Sequence, residues 1–155
     1  MKKRITAITL ILTGICLILS IFFILLFIIS PIFNDHTAKN TADELAALPL
    51  PDHTELIESI YQTGKLVGNG NGIQYFGAIL IQSGLSLEEL QEYYKAYAKH
   101  DWECVVEKQA GAEITFIEHE NLAFQTKMEG DNYYIVYSWG SSSNSIFQEL
   151  DIRGH

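Results

Sequence analysis

A long apolar segment near the N-terminus constrains this chain more than any other feature. Residues Ile5–Ile29 form a run of 25 residues without a charged side chain, dominated by Ile, Leu and Phe. As a helix this run would be about 37 Å long, enough to cross a hydrocarbon core of about 30 Å with some tilt. The sequence therefore predicts a short tail over residues 1–4, followed by one transmembrane helix over residues 5–29.

Two other interpretations of this segment stay open. A cleaved signal peptide usually has an apolar region of about 7 to 15 residues and a small-residue cleavage site. This run is longer, and no Ala-x-Ala follows it. The stretch Thr13–Cys16 loosely resembles a lipoprotein cleavage motif, but bulky Ile15 precedes the cysteine and the apolar run continues beyond it. An uncleaved anchor is the interpretation that we favour.

The charge distribution predicts the orientation of the chain in a membrane. Three basic residues, Lys2, Lys3 and Arg4, precede the apolar run, and such residues favour the cytoplasmic side. Seven basic and all 19 acidic residues follow the run, so the remainder has a net charge of −12. We therefore expect an extracytoplasmic C-terminal part in a single-pass cell-membrane protein. A field of this sign disfavours nucleic acid and anionic lipid as partners, and solubility is its simplest role.

The region after the anchor is predicted to be a linker over residues 30–53 and one domain over residues 54–155. Thr41–Glu44 has the spacing of a capping box, which predicts the start of a short helix. Pro49 and Pro51 would end that helix and leave a stiff, extended segment. The 102 residues that remain are enough for one hydrophobic core.

A glycine-rich stretch in this domain resembles a phosphate-binding loop at first sight. A dinucleotide loop leads into a helix whose N-terminus binds the phosphates. Here Ile73–Ile81 follows, which is rich in β-branched and aromatic residues and is typical of a strand. We therefore predict a hairpin turn, because Asn-Gly pairs favour tight reversals. Its residues are Gly68, Asn69, Gly70, Asn71 and Gly72.

The remaining patterns predict an α+β domain of order ββαββββ. Ser86 and Glu89 form a capping box before an apolar stripe, which predicts a helix. Strands are expected over residues 54–67, 73–82, 102–109, 113–118, 122–128 and 133–139, separated by turn residues. The second of these should be central, because both of its faces are apolar. One helix would cover one face of an antiparallel sheet in a two-layer arrangement.

The stretch YYKAYAKHDWECVVE, from Tyr93 to Glu107, resembles a pattern found in small bacterial membrane-tethered or lipoprotein-like domains. In those domains a helix with an aromatic pair leads through a tryptophan into the sheet. The resemblance covers about 25 residues and its motifs have low specificity. It implies an α+β fold and implies no activity.

The sequence predicts no catalytic, cofactor-binding or metal-binding residues. His119 lies between two glutamates, but alternation along a strand sends the carboxylates and the imidazole to opposite sides. Cys104 shares a strand face with Trp102 and is expected to be a buried thiol. The serines after Gly140 lack the spacing of a nucleophile elbow.

The aromatic residues provide the best candidate for a binding surface. They are too numerous for all of them to pack on one side of one element. The candidates for the exposed subset are Tyr93, Tyr134 and Trp139. We therefore expect a membrane-anchored extracytoplasmic module that binds a protein or an envelope component. Two alternatives are an exterior hydrolase acting on envelope material and a small accessory subunit of a membrane complex, with Gly14 and nearby threonines as a helix-packing stripe.

Overall fold

A computed structural model describes residues 2–70, 72–99, 102–140 and 145–155, with side chains from residue 8 onward. The chain has an α+β fold with one long apolar helix and one open antiparallel sheet. Its elements are α1 (Lys2–Ala46), β1 (Thr54–Gly64), β2 (Gln74–Ser83), α2 (Leu87–Lys95), β3 (Val105–Lys108), β4 (Tyr133–Trp139), α3 (Ile146–Glu149) and a final 3-10 turn, Ile152–Gly154.

Helix α1 is longer than the sequence predicted. It passes through Pro31 without a break and includes most of the residues expected to form a linker. The capping box predicted at Thr41 is wrong, because Thr41 lies inside the helix and its hydroxyl donates to the carbonyl of Thr37. The last turns pack on the sheet and bury Ala38, Ala42 and Leu45 almost completely. Burial against the sheet provides a reason for helix to persist where local signals predicted an irregular segment.

The sheet has four strands in the order β1-β2-β4-β3, and all neighbours are antiparallel. The predicted central position of β2 is confirmed, since β2 lies between β1 and β4. The prediction of six strands is wrong. Residues 113–128 form no strand of the sheet, and their one β-bridge pairs Glu113 with Ala123 inside the segment. Apolar side chains of this segment pack on the sheet, while its amides at Gln125 and Thr126 donate to the carboxylate of Glu58. The alternating apolar residues of this segment therefore cover one face of the sheet but do not form strands of it.

The core has two parts, one on each face of the sheet. On one face, α1 and α2 cover a cluster that includes Leu45, Ile79 and Tyr94. On the other face, the irregular segment covers a cluster that includes Phe76 and Phe124. The predicted two-layer arrangement with one covering helix is therefore corrected to a sheet covered by two helices on one side and by irregular chain on the other.

Helix α2 begins as the sequence predicted. The side chain of Ser86 accepts from the amide of Glu89, and the carboxylate of Glu89 accepts from the amide of Ser86. Leu90 and Tyr94 are fully buried on the sheet. The reciprocal cap and the apolar face agree, which explains why this element could be predicted from sequence.

A glycine in the middle of β2 allows the close contact between α1 and the sheet. A Cβ atom at Gly77 would lie 2.5 Å from the backbone nitrogen of Ala42 and 2.8 Å from the carbonyl carbon of Thr41. Any side chain at this position would therefore push the helix away from the strand. Gly77 and the small residue Ala42 let the two backbones pack directly against each other.

Candidate functional site

A buried polar cluster joins α1 to the C-terminal segment. We call it the helix–C-terminus cluster, and its residues are Asn34, Asp35, Tyr75, Asp151 and Arg153. The amide of Asn34 donates to Asp151 Oδ2 at 2.8 Å, and the hydroxyl of Tyr75 donates to Asn34 Oδ1 at 2.8 Å. Arg153 donates through Nε and Nη2 to the two oxygens of Asp151 at 3.0 and 2.8 Å, and through Nη1 to Asp35 at 2.7 Å. The cluster connects residues more than 110 positions apart.

One guanidinium, that of Arg153, pairs with both carboxylates of this cluster, Asp35 and Asp151. Asp151 is fully buried, which favours its neutral form, but hydrogen bonds from Arg153 and Asn34 outweigh burial and lower its pKa. The hydrogen bond to Asp151 raises the pKa of Arg153 above its ordinary value. Both groups are therefore charged at neutral pH, and their hydrogen-bonding capacity is directed at each other and at α1. Such a cluster fixes the position of the C-terminal segment on α1.

Apolar contacts extend this connection on either side of the cluster. The rings of Phe33 and Phe147 stack with a centroid distance of 4.4 Å. The amide of Gly72 donates to the carbonyl of Gly154 at 2.7 Å, and a Cβ at Gly154 would lie 2.9 Å from the backbone of Gly72. The C-terminal segment is thus packed between α1 and the glycine-rich loop.

The glycine-rich loop joins β1 to β2, two antiparallel neighbours. It is longer than a two-residue turn, since the last pair of the register is Gly64 with Gln74. Gly68 and Gly72 have φ values of 73° and 131°, which side chains rarely adopt. Leu66 and Val67 amides donate to the side chain of Gln74 at the start of β2. The strand after the loop matches the sequence prediction; Asn71 lies outside the described residues.

An open polar groove lies at the opposite end of the sheet, where β1 begins and β2 ends. Its volume is about 390 Å³. His53, at its edge, has a φ of 58°, an uncommon conformation for a residue with a side chain. The groove is lined by His53, Thr54, Glu55, Gln82, Ser83, Gly84 and Asn132. Its mixture of amide, hydroxyl, imidazole and carboxylate groups suits a polar ligand.

The aromatic residues proposed as a binding surface have different environments. Tyr134 is buried, and its hydroxyl donates to the carbonyl of Leu85. Tyr93 is half-buried, and its hydroxyl donates to the carbonyl of Pro49. Trp139 is half-buried at the end of β4. The structure therefore does not bring these three side chains together on one exposed face.

Other groups weighed from the sequence have structural partners. The imidazole Nε2 of His119 lies 2.8 Å from the carbonyl oxygen of Gly68, and the carboxylate of Glu118 accepts from the amide of Gly68. Burial raises the pKa of Cys104 to about 11, which disfavours the reactive thiolate. Among the described residues, no group of three His, Cys, Asp or Glu could hold a metal ion. His100 and Ser141–Ser143 lie outside the described residues.

Sequence reasoning missed the helix–C-terminus cluster. Asp151 and Arg153 are two positions apart near the end of the chain, and Asn34 and Asp35 directly follow the apolar run. No local motif connects these pairs, because their meeting depends on the path of the whole domain. One signal was available: Asn34, Ala38, Thr41 and Leu45 recur at helical spacing and are all buried.

The fold and this cluster define a class: an α+β domain built directly onto a helix that is long and apolar enough to cross a membrane. Comparison of the chain with protein-family models, with curated proteins and with solved structures finds no match.

Proposed function

We propose that this protein is a single-pass, membrane-anchored extracytoplasmic module that binds a protein or an envelope component. One observation carries the proposal: α1 continues from an exposed apolar segment into the core of the domain. Apart from half-buried Leu26, the large apolar side chains from Ile8 to Ile29 are 40–69% exposed, whereas Ala38 and Leu45 in the same helix are fully buried. Long exposed apolar surface on one helix is expected where lipid surrounds it.

A rigid connection favours a binding role over a role as a free catalytic domain. The helix–C-terminus cluster and the packing of Ala42 on Gly77 leave little freedom between anchor and sheet. The domain would be held at a fixed height above the membrane and in a fixed orientation relative to it. That arrangement suits a module that presents one surface to a partner in the envelope.

The polar groove is the surface that we assign to the partner. It lies at the end of the sheet opposite Asn34, so it would face away from the membrane. The strained backbone of His53 lies at its edge, and strain of this kind clusters at ligand sites. An open, polar groove suits part of a large polar partner better than it suits a small apolar molecule.

The hydrolase alternative has less support. It needs a histidine aligned with a serine and an acid. His119 Nε2 lies 2.8 Å from the carbonyl oxygen of Gly68 and 3.8 Å from Glu118 Oε2. In the groove, the hydroxyl of Ser83 is hydrogen-bonded to that of Thr54. The accessory-subunit alternative rests on the surface around Gly14, where an added Cβ would meet nothing within 4 Å. Gly14 is thus open to a neighbouring helix, and this alternative stays a second candidate.

Topology and binding can be tested in intact cells. A reporter fused after His155 should be exported, and the mature protein should keep its apolar segment in the membrane fraction. A soluble product beginning near Asn34 would refute the anchor. A photo-crosslinking residue at Asn132 in the groove should give a discrete adduct that the same residue at exposed Lys127 does not give. Equal adducts from both positions would refute the groove.

A further inference from the structure

Exposed and half-exposed apolar side chains lie on α1 and beside it, just beyond the predicted membrane span. We call them the apolar collar: Ile32, Phe33, Ile146, Phe147 and Ile152. Ile152 is 74% exposed, the largest exposure of any bulky apolar side chain among the residues with described side chains. Ile32, Phe33 and Ile146 are also more than half exposed. Bulky apolar side chains that are exposed together on a protein surface mark a contact with another protein or with a membrane.

The C-terminal part of the collar lies at the same level of α1 as the helical part. Phe147 stacks on Phe33, and the guanidinium of Arg153 donates to the carbonyl of Pro31 at 3.1 Å. The contacts of Asp151 and Arg153 with α1 hold this segment in place. Ile152 lies between Asp151 and Arg153, and Ile146 precedes Phe147, whose carbonyl accepts from the side-chain amide of Asn34 at 3.0 Å. Both isoleucines are therefore next to residues that contact the helix.

The depth of the collar can be estimated from helix geometry. A bilayer has a hydrocarbon core of about 30 Å and a thickness of about 40–45 Å with its headgroups, which leaves about 5–8 Å of headgroup region on each side. Phe33 lies four residues after Ile29, or about 6 Å farther along the helix. If residues 5–29 span the core, the collar lies in the headgroup region.

We propose that the apolar collar inserts into the outer headgroup layer of the membrane, so that the domain rests on the bilayer through its C-terminal segment. The inference rests on the proposed membrane anchor. The contact is apolar: Arg153 is engaged by Asp35 and Asp151, and the exterior part is strongly acidic. Ile and Phe at this depth gain from partial burial in lipid, as on an interfacial helix.

A second copy of the chain is the competing occupant of the collar. Stable protein interfaces bury about 800 Å² on each partner. Two of the five collar side chains stack on each other, and five residues are far fewer than the roughly 20–30 on each side of such an interface. The position of the collar beside the apolar span favours lipid.

Spin labels on the full-length protein test the proposal. The two native cysteines are replaced by alanine. Four variants then each receive one new cysteine: Ile152→Cys and Ile146→Cys in the collar, and Leu19→Cys and Glu88→Cys as controls. After reconstitution into phosphatidylcholine vesicles, collision rates with oxygen and with a water-soluble nickel chelate are compared. Leu19 reports the span itself, and Glu88, exposed in the first turn of α2, reports a water-facing control.

Labels at positions 152 and 146 should favour oxygen and lose nickel accessibility relative to position 88. Added salt should not change this preference in phosphatidylcholine vesicles, because the contact is apolar. If labels at 152 and 146 are as accessible to nickel as the label at 88, while the label at 19 favours oxygen, the lipid contact of the collar is refuted and the membrane anchor is not. A water-exposed label at 19 would overturn the anchor. Spin–spin broadening at 152 that rises with the protein-to-lipid ratio would assign the collar to a second copy and overturn the lipid contact.

Discussion

Removing the guanidinium of Arg153 should destabilise the α+β domain substantially. In Arg153→Ala, the buried carboxylate of Asp151 loses two charge-assisted hydrogen bonds, and Asp35 loses its partner. Removing one partner of a buried ion pair costs about 3–5 kcal/mol. Arg153 is about one-third exposed, and the side chain of Asn34 and the backbone amide of residue 153 still donate to Asp151. Solvent and these two remaining bonds reduce the expected loss to about 2–3 kcal/mol.

Equilibrium unfolding in urea measures this loss. Both tryptophans lie in the α+β domain, so their fluorescence in detergent-solubilised full-length protein reports this domain and not the apolar span. Arg153→Lys is the matched control: it keeps the charge, loses the two-point geometry, and should lose less stability. An unchanged unfolding midpoint for Arg153→Ala would refute a stabilising role of the helix–C-terminus cluster.

A double substitution separates the buried charge from other effects of the change. Asp151→Asn combined with Arg153→Ala removes the uncompensated carboxylate, so the pair should lose less stability than the sum of the single variants. Simple additivity would show that the two side chains do not act together.

The pH dependence of stability follows from the same cluster. The pKa of Asp151 is lowered in the folded state, so its stabilising contribution is fully present above its ordinary pKa of about 3.9. That contribution is lost as the pH falls through the lowered folded value. The stability difference between the native protein and Asp151→Asn should therefore shrink at acidic pH; a difference that persists unchanged would contradict the charged state of Asp151.

Three further predictions concern the core, the loop and the thiol. Gly77→Ala should lower the unfolding midpoint strongly, because the new Cβ would meet the backbone of α1. The control Gly111→Ala has open space around the new Cβ and should leave the midpoint unchanged. Equal effects of the two changes would contradict the close helix–strand contact. Gly72→Val should cost on the order of 1 kcal/mol or more because its φ is positive, and the matched change Gly70→Val should cost less. A nucleotide-dependent rise in the wild-type melting temperature would revive a phosphate-binding loop. Cys104 should react slowly with maleimide in native protein and quickly in urea, and fast native labelling would show a reactive thiol.

The elements that sequence predicted correctly have local causes. The α2 cap depends on Ser86 and Glu89, three residues apart, and the central position of β2 follows from apolar residues on both of its faces. The apolar run itself is a property of consecutive residues. In each case the information lies within one short segment, so no long-range contact is needed to interpret it.

The elements that sequence predicted wrongly depend on contacts between distant residues. Residues 113–128 have strand-like alternation, but the carboxylate of Glu58 on β1 binds two of their amides, and the side chains pack across β2 and β4. Alternation reports which side chains are buried, and it does not report which backbone groups pair. The helix–C-terminus cluster was invisible for the same reason, since Asn34 and Asp151 are 117 positions apart.

The continuity of α1 shows how a proline can mislead a boundary prediction. Pro31 removes one backbone donor and usually ends or kinks a helix. Here the residues after it bury Asn34, Ala38, Ala42 and Leu45 against the sheet, and the stability of a helix in a protein comes mainly from such packing. The small side chains in this stripe matter as much as its apolar ones, because they allow the helix backbone to touch β2. A sequence that reads as a linker therefore forms the part of the helix that ties the apolar segment to the domain.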